Sequence, residues 1–274
     1  MKPGKKRPPY VSPATITGLA AFALAFILFL FRLELAIIPL SAYVILCLAA
    51  SLYPYRGFFL PIISRGHSGK PIVSLTFDDG PDPATTPHLL RLLEKHAVKA
   101  TFFVTGERTA QYGDLISQIL ANGHDIGNHS YHHDAFLMLR SSKTLNREIA
   151  STQAELACFG ITPLAFRPPV GVTSSQLAPA LRKLGLHCVN FTCRAHDCGN
   201  RRIRGLSRKI LKKVRADDII LLHDVLPKGD GDIDVWLCEI DLILVGLKDR
   251  GLQVVPLGVL LGEVIMVEVE KEQR

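Results

Sequence analysis

Between Ala14 and Tyr53 the chain holds only two charged residues, Arg32 and Glu34. A soluble domain exposes polar side chains on every element, so a stretch of about 40 residues this apolar is not soluble structure. It is also far longer than the roughly 7–15-residue apolar core of a cleavable signal peptide. Since one span needs about 20 apolar residues, the stretch divides into Ala14–Phe31 and Leu35–Tyr53 around a turn at Arg32-Leu33-Glu34. Pro39 can be accommodated near the first turn of the second span. Lys2, Lys5, Lys6 and Arg7 precede the first span, and Arg56, Arg65 and Lys70 follow the second before any acidic residue. Basic flanks stay in the cytoplasm. The expectation is therefore a multi-pass membrane protein of two spans with the rest of the chain cytoplasmic. One long tilted span plus an interfacial segment, which would put the domain on the extracytoplasmic face, is the alternative.

The chain's 274 residues leave room for one further domain of about 200 residues and exclude two large ones. Cys47 falls in the second span, and five cysteines follow: Cys158, Cys188, Cys193, Cys198 and Cys238. An odd number makes a poor disulfide framework, no CxxC spacing suggests a structural zinc cluster, and reduced, buried thiols fit a cytosolic face.

The layout expected is a basic tail over 1–13, the spans over 14–53, a linker over 54–69 with Pro54, Gly57, Pro61, Gly66 and Gly69, an α/β domain over 70–260, and a charged C-terminal tail over 261–274. Within the domain, short β-branched runs alternate with helical stretches, the pattern of a parallel sheet. Strands are expected at Ile72–Phe77, Ala100–Thr105, His124–Asn128, Ala165–Arg167, His187–Cys193, Asp218–His223 and Gln253–Leu257. Helices are expected at Pro87–His96, Gln111–Asn122, Thr144–Phe159, Ser174–Leu184, Leu206–Val214 and Ile233–Arg250. Unusual polar residues collect at the C-terminal ends of these strands, where α/β barrels place their sites: Asp78-Asp79, His129, Arg167 and His223.

In Thr76-Phe77-Asp78-Asp79-Gly80-Pro81 an apolar strand runs into two adjacent carboxylates and a turn. Adjacent side chains of an extended chain diverge, so the acids serve different ends, one for a metal and the other for a proton, unless the segment is only an acidic turn. In His129-Ser130-Tyr131-His132-His133 the outer histidines are four apart and can converge on one ion. Two imidazoles with a carboxylate form an N/O set that zinc or another divalent first-row metal accepts with room left for water.

These two segments resemble the first two motifs of the NodB-type polysaccharide deacetylase family, carbohydrate esterase family 4. Later motifs follow in the same order: Arg167-Pro168-Pro169-Val170-Gly171 is similar to the third, Asp197-Cys198 stands where the fourth has Asp-Trp, and Leu221-Leu222-His223-Asp224 resembles the fifth. The resemblance covers about Lys70 to Leu257. It implies a distorted (β/α) barrel of the NodB-homology type, here preceded by the transmembrane hairpin, and a metal-dependent hydrolase of N-acetylated amino sugars. Asp79, His129 and His133 would hold the metal, zinc or alternatively cobalt or another first-row ion, which acts as a Lewis acid. Asp78 would be the general base, oriented by Arg167, and His223 the general acid, tuned by Asp197. The Val170 N–H would stabilise the oxyanion, and Leu221 would line the acyl pocket. Ser130 is expected to hydrogen-bond near the metal histidines and His132 to be exposed. The chain departs from the family at Asp134 (usually Pro), Val170 (usually aromatic) and Cys198 (usually Trp). The last two reduce the aromatic surface that a chitin- or peptidoglycan-binding wall offers.

Eight cations and no acid lie between Arg201 and Arg215: Arg201, Arg202, Arg204, Arg208, Lys209, Lys212, Lys213 and Arg215. The segment is either a solvated helix or a basic face for lipid headgroups or a substrate diphosphate. No nucleic-acid motif accompanies it. With the membrane anchor, the substrate expected is an N-acylated sugar of a polysaccharide or of a polyprenyl-phosphate-linked glycan. The alternatives are a deformylase on such a lipid-linked sugar, or a silent membrane-tethered carbohydrate-binding module.

Overall fold

The computed structural model describes residues 11–269 apart from 52, 54 and 230. The basic tail expected over 1–13 lies mostly outside the described residues, as do 270–274. Two apolar helices open the chain, α1 (Pro13–Phe29) and α2 (Leu33–Ser51). They pack on one another, with Tyr43 Oη donating to the Ala14 carbonyl at 3.0 Å beneath the small residue Gly18. The 19-residue α2 is long and apolar enough to cross a membrane, and most of its surface is exposed.

The domain follows as β1 (Ile62–Ile63), β2 (Ile72–Asp78), α3 (Thr86–Lys95), β3 (Thr101–Val104), α4 (Gly106–Gln111), α5 (Gly113–Ala121), β4 (Asp125–Asn128), α6 (Ser142–Ala157), β5 (Ile161–Pro163), β6 (Ala165–Phe166) and α7 (Leu177–Leu184). It continues through β7 (His187–Val189), β8 (Cys193–Arg194), α8 (Leu206–Lys213), β9 (Ile219–His223), α9 (Ile233–Asp249), β10 (Gln253–Val254), α10 (Leu257–Leu261) and β11 (Met266–Glu268). The main sheet is parallel in the order β1-β7-β6-β4-β3-β2-β9-β8, with β10 also on β2. It curls into a half-barrel. Its two ends are joined by residues 190–192, where the Asn190 N–H donates to the Ile63 carbonyl and the Thr192 N–H to the Ile219 carbonyl.

The period-2 alternation of strands sorts side chains between two layers. Val73, Leu75 and Phe77 of β2, Phe102 and Val104 of β3, and Ile220 and Leu222 of β9 face the outer helices with Trp236, Ile240 and Ile243 of α9. Phe103, Ala165, Val189, Ile219 and Leu221 form a separate inner cluster. The alternate residues of β2, Thr76 and Asp78, meet Arg167 on that inner side.

Several boundaries differ from the sequence expectation. His187–Cys193 is two strands, because the chain leaves one end of the sheet after Val189 and joins the other at Cys193. The helix expected from Gln111 is preceded by a short one, α4. The sheet system also extends past the drawn bounds: β1 pairs β7 within the expected linker, and β11 pairs β5 antiparallel within the expected C-terminal tail. Two or three residues are too short a run for alternation to reveal. All six cysteines are free.

Candidate active site

The site lies at the C-terminal ends of β2, β4, β6 and β9. In-register pairing of β2 with β9 sets Asp78 beside His223. Asp79, one residue on, has φ 71°, a left-handed backbone that Asp tolerates better than most residues, and this turns its carboxylate away from that of Asp78. Gly80 follows where a Cβ would stand 2.7 Å from Asp224 Oδ2, so only glycine fits the turn.

Asp79, His129 and His133 bring one ligand atom each within 4.8 Å of one another. His129 Nε2 is 3.3 Å and His133 Nε2 3.2 Å from Asp79 Oδ1. That oxygen is buried and has no hydrogen-bond partner, since neither imidazole is aimed at it as a donor. An orphaned buried carboxylate oxygen beside two ring nitrogens fits a cation-binding set of N/N/O type. His129 Nδ1 is 2.7 Å from the Arg167 carbonyl, which fixes the ring and leaves Nε2 toward the site. Burial opposes charge on Asp79, but the His129, His133 and His223 imidazoles outweigh it and hold this carboxyl well below the usual range.

On one flank, the fully buried Arg167 donates from Nη1 to Asp78 Oδ1 at 2.6 Å and to Thr76 Oγ1 at 2.8 Å. Asp78 Oδ2 is left 3.7 Å from His129 Nε2. On the other flank His223 Nδ1 bonds Asp197 Oδ2 at 2.7 Å. Burial disfavours the imidazolium, yet the Asp197 carboxylate, with Asp79 and Asp78 behind it, raises the His223 pKa to about 9. Val170 sits at φ 52° in the turn after Pro169, a conformation a β-branched residue seldom adopts, and its side chain is exposed. Leu221 is buried on β9.

The structure thus brings Asp78, Asp79, His129, His133, Arg167, Asp197 and His223 into one cluster, with Val170 three residues after Arg167 and Leu221 two before His223. Ser130 was expected to hydrogen-bond through its side chain; its buried Oγ has no partner, and its backbone N–H donates to Asn128 Oδ1 instead. His132 is exposed and bonds Glu148.

Sequence reasoning gave no role to two acids. Glu148 of α6 is buried, and its carboxylate accepts from the Tyr131 and His132 N–H groups at 3.2 and 2.9 Å and meets His132 Nδ1 at 2.8 Å. It holds a loop in which Ser130 and His133 are both left-handed. The available signal was a lone acid in the buried stripe Leu145, Glu148, Ile149, Thr152, Leu156. Glu148→Gln, which trades one acceptor for a donor aimed at N–H groups, should weaken divalent-cation binding at the Asp79, His129 and His133 set about 10–100-fold. Equilibrium competition against a chelator measures this, and unchanged affinity would remove Glu148 from the role. The second acid, Asp224, is fully buried, accepts from Thr85 and Thr86 hydroxyls at 2.7 and 2.6 Å, and donates its N–H to the Asp78 carbonyl. Burial pushes its carboxyl up to about 7.

A family model described as polysaccharide deacetylase matches residues 65–189. Peptidoglycan-N-acetylglucosamine deacetylase of Bacillus cereus is 31% identical over 196 residues, 71% of this chain and 90% of its own length. The peptidoglycan-N-acetylglucosamine deacetylase PgdA of Listeria monocytogenes is 29% identical over 208 residues; the match takes in 76% of this chain but only 42% of that protein. Among solved structures, the Bc1960 peptidoglycan N-acetylglucosamine deacetylase bound to a hydroxamate superposes with TM-score 0.67 at 29% identity, covering 74% of this chain and 94% of that one. The curled parallel sheet, the ordered motifs and these matches agree: the chain belongs to the polysaccharide deacetylase family, carbohydrate esterase family 4.

Proposed function

We propose that this protein is a membrane-anchored, zinc-dependent hydrolase that removes the N-acetyl group from an amino sugar of a lipid-linked glycan. The observation behind it is the convergence of three devices at one mouth: a donor set with an orphaned oxygen, a carboxylate held by an arginine, and an imidazole held by a carboxylate.

Asp79, His129 and His133 would hold the ion, and two imidazoles with one carboxylate suit zinc. When bound, a divalent ion supplies Lewis-acid polarisation of the acyl carbonyl and acidifies the attacking water. Asp78 takes the water's proton; Arg167 occupies Oδ1, leaving Oδ2 to accept. His223 protonates the leaving amine, while Asp197 keeps its ring charged and oriented. The Val170 N–H donates to the tetrahedral oxyanion, and Leu221 lines the space for the acyl methyl. In the membrane, α1 and α2 are the two spans, with the basic flanks and the domain in the cytoplasm.

A raised histidine pKa means the acid is charged at neutral pH and is lost as pH climbs through that value. A cation beside Asp79 offsets part of the carboxylate attraction, so the alkaline limb of kcat belongs between the ordinary 6.5 and about 9. Asp197→Asn removes the main attraction and should move this limb down by about one pH unit. A limb that stays in place would assign it to another group.

The test of the function is acetate and formate release from N-acylated sugars, free and lipid-linked, by zinc-loaded full-length protein. Acetate from the lipid-linked sugar is expected, abolished by chelation and restored by zinc or cobalt. The name of the Bacillus cereus relative favours a second reading, de-N-acetylation of cell-wall glycan on the outer face; release from that glycan alone would select it. Release that survives complete chelation would remove the metal from the scheme.

A further inference from the structure

Exposed large apolar side chains stand on the segments that lead away from the site residues. Phe136 (65% exposed) and Leu139 (81%) stand on the excursion after His133, Val170 (52%) on the turn after Arg167, and Leu226 (44%) on the segment after His223. These segments are held in place: Asp134 accepts from the Phe136 N–H and pairs with Arg140, and the Leu226 N–H donates to Asp82.

The same rim is cationic. Exposed Arg201 and Arg202 donate their backbone N–H groups to the Asp197 carbonyl. Exposed Lys228 donates its own to Asn200, whose side chain donates in turn to the His223 carbonyl. From there the charge continues along α8 to Arg215. Remove the eight cations of this segment from the chain's 32 and the remaining 24 face 25 acids, so the whole net charge of +7 arises here.

The start of the apolar helix pair meets the chain beside this rim, and its end is joined to the same place by a short tether. The Ala14 N–H, at the start of α1, donates to the Phe58 carbonyl at 3.0 Å. Phe59 and Leu60 belong to the packed cluster that holds Leu137 and Met138, the residues between Phe136 and Leu139. Ser51, where α2 ends, is eight residues before Phe59, a reach of at most about 29 Å. A wall built only to stack sugars would offer flat aromatic faces. This one offers one Phe and three aliphatic side chains flanked by Arg and Lys, the composition of a surface that lies in a membrane interface.

We propose that the rim is a bilayer-docking face: Phe136, Leu139, Val170 and Leu226 sit at the boundary of headgroups and acyl chains, with Arg201, Arg202 and Lys228 on anionic headgroups. The site then receives its sugar from the membrane plane, which deepens the lipid-linked substrate proposed above and rests on it.

The test uses the full-length chain in nanodiscs of phosphatidylcholine and phosphatidylglycerol, with Leu139→Trp as a depth probe. The one native tryptophan, Trp236, is fully buried and gives the baseline. Acyl-brominated lipid should quench the introduced indole by about half, and Arg201→Glu/Arg202→Glu or high salt should reverse most of that. Leu242→Trp, on the exposed side of α9, should stay at baseline. No quenching at position 139, equal quenching at 242, or insensitivity to both charge reversal and salt would each overturn the docking face. Acyl release by wild type without quenching at 139 removes the docking face and leaves the deacetylase. Quenching without release from any substrate keeps the docking face and removes the deacetylase.

Discussion

Asp78→Asn should lower kcat by about 10³-fold, within the range a positioned general base contributes, while zinc affinity stays within about threefold because the side chain lies outside the ligand set. The adjacent acid gives the contrast. Asp79→Asn should lose the metal first and activity as a consequence, so excess zinc restores part of it, whereas no zinc concentration rescues Asp78→Asn. The distinction follows from the backbone. Asp78 is the last residue of β2 and faces Arg167, while Asp79 is left-handed and faces two imidazoles. A factor of 10³ corresponds to about 4 kcal/mol of barrier. Single-turnover acetate release with zinc binding measured on the same preparation checks both. An Asp78→Asn enzyme that keeps a tenth of its rate, or loses zinc in parallel, would reverse the division of labour between the two acids.

What was legible in the sequence was what repeats locally. Strand-ending acids and histidines announced the C-terminal edge of a parallel sheet, where α/β folds place their sites, and the five motifs supplied Asp78, His129, Arg167, Asp197 and His223 in chain order. The sequence could not show that His187–Cys193 changes ends of the sheet, since the apolar run through Val189 and Phe191 has strand character throughout and the turn is imposed by closure on Ile63 and Ile219. The roles of Glu148 and Asp224 were hidden for another reason. Their meaning depends on distant partners, a loop 16 to 17 residues upstream for one and threonines 138 and 139 residues upstream for the other. The exposed apolar rim was hidden as well, because an apolar residue in a loop does not show in the sequence whether the fold buries it, and Phe136, Leu139 and Leu226 are turned outward.

Arg167 carries the largest expected effect on stability. It has no exposed surface, and besides Asp78 and Thr76 it donates to the Val189 and Asn190 carbonyls at 3.2 Å each, with its guanidinium 4.0 Å over the Phe103 ring. Those carbonyls lie where the chain crosses from one end of the sheet to the other, so the side chain ties Asp78 to that crossing. Arg167→Met fills similar volume but leaves the buried Asp78 carboxylate without its cation, a loss of about 3–5 kcal/mol. For a domain of this size that lowers Tm by roughly 10 °C or more. Arg167→Lys keeps the charge but not the fork that reaches Asp78, Thr76 and two carbonyls at once, so it should fall between. Adding Asp78→Asn to Arg167→Met removes the unpaired charge and should recover a large part of the lost Tm while activity stays absent. Thermal unfolding of the three variants in one buffer decides it: if Arg167→Met unfolds within about 2 °C of wild type, the Arg167–Asp78 pair is not what holds the crossing, and closure depends on the Ile63 and Ile219 backbone bonds alone.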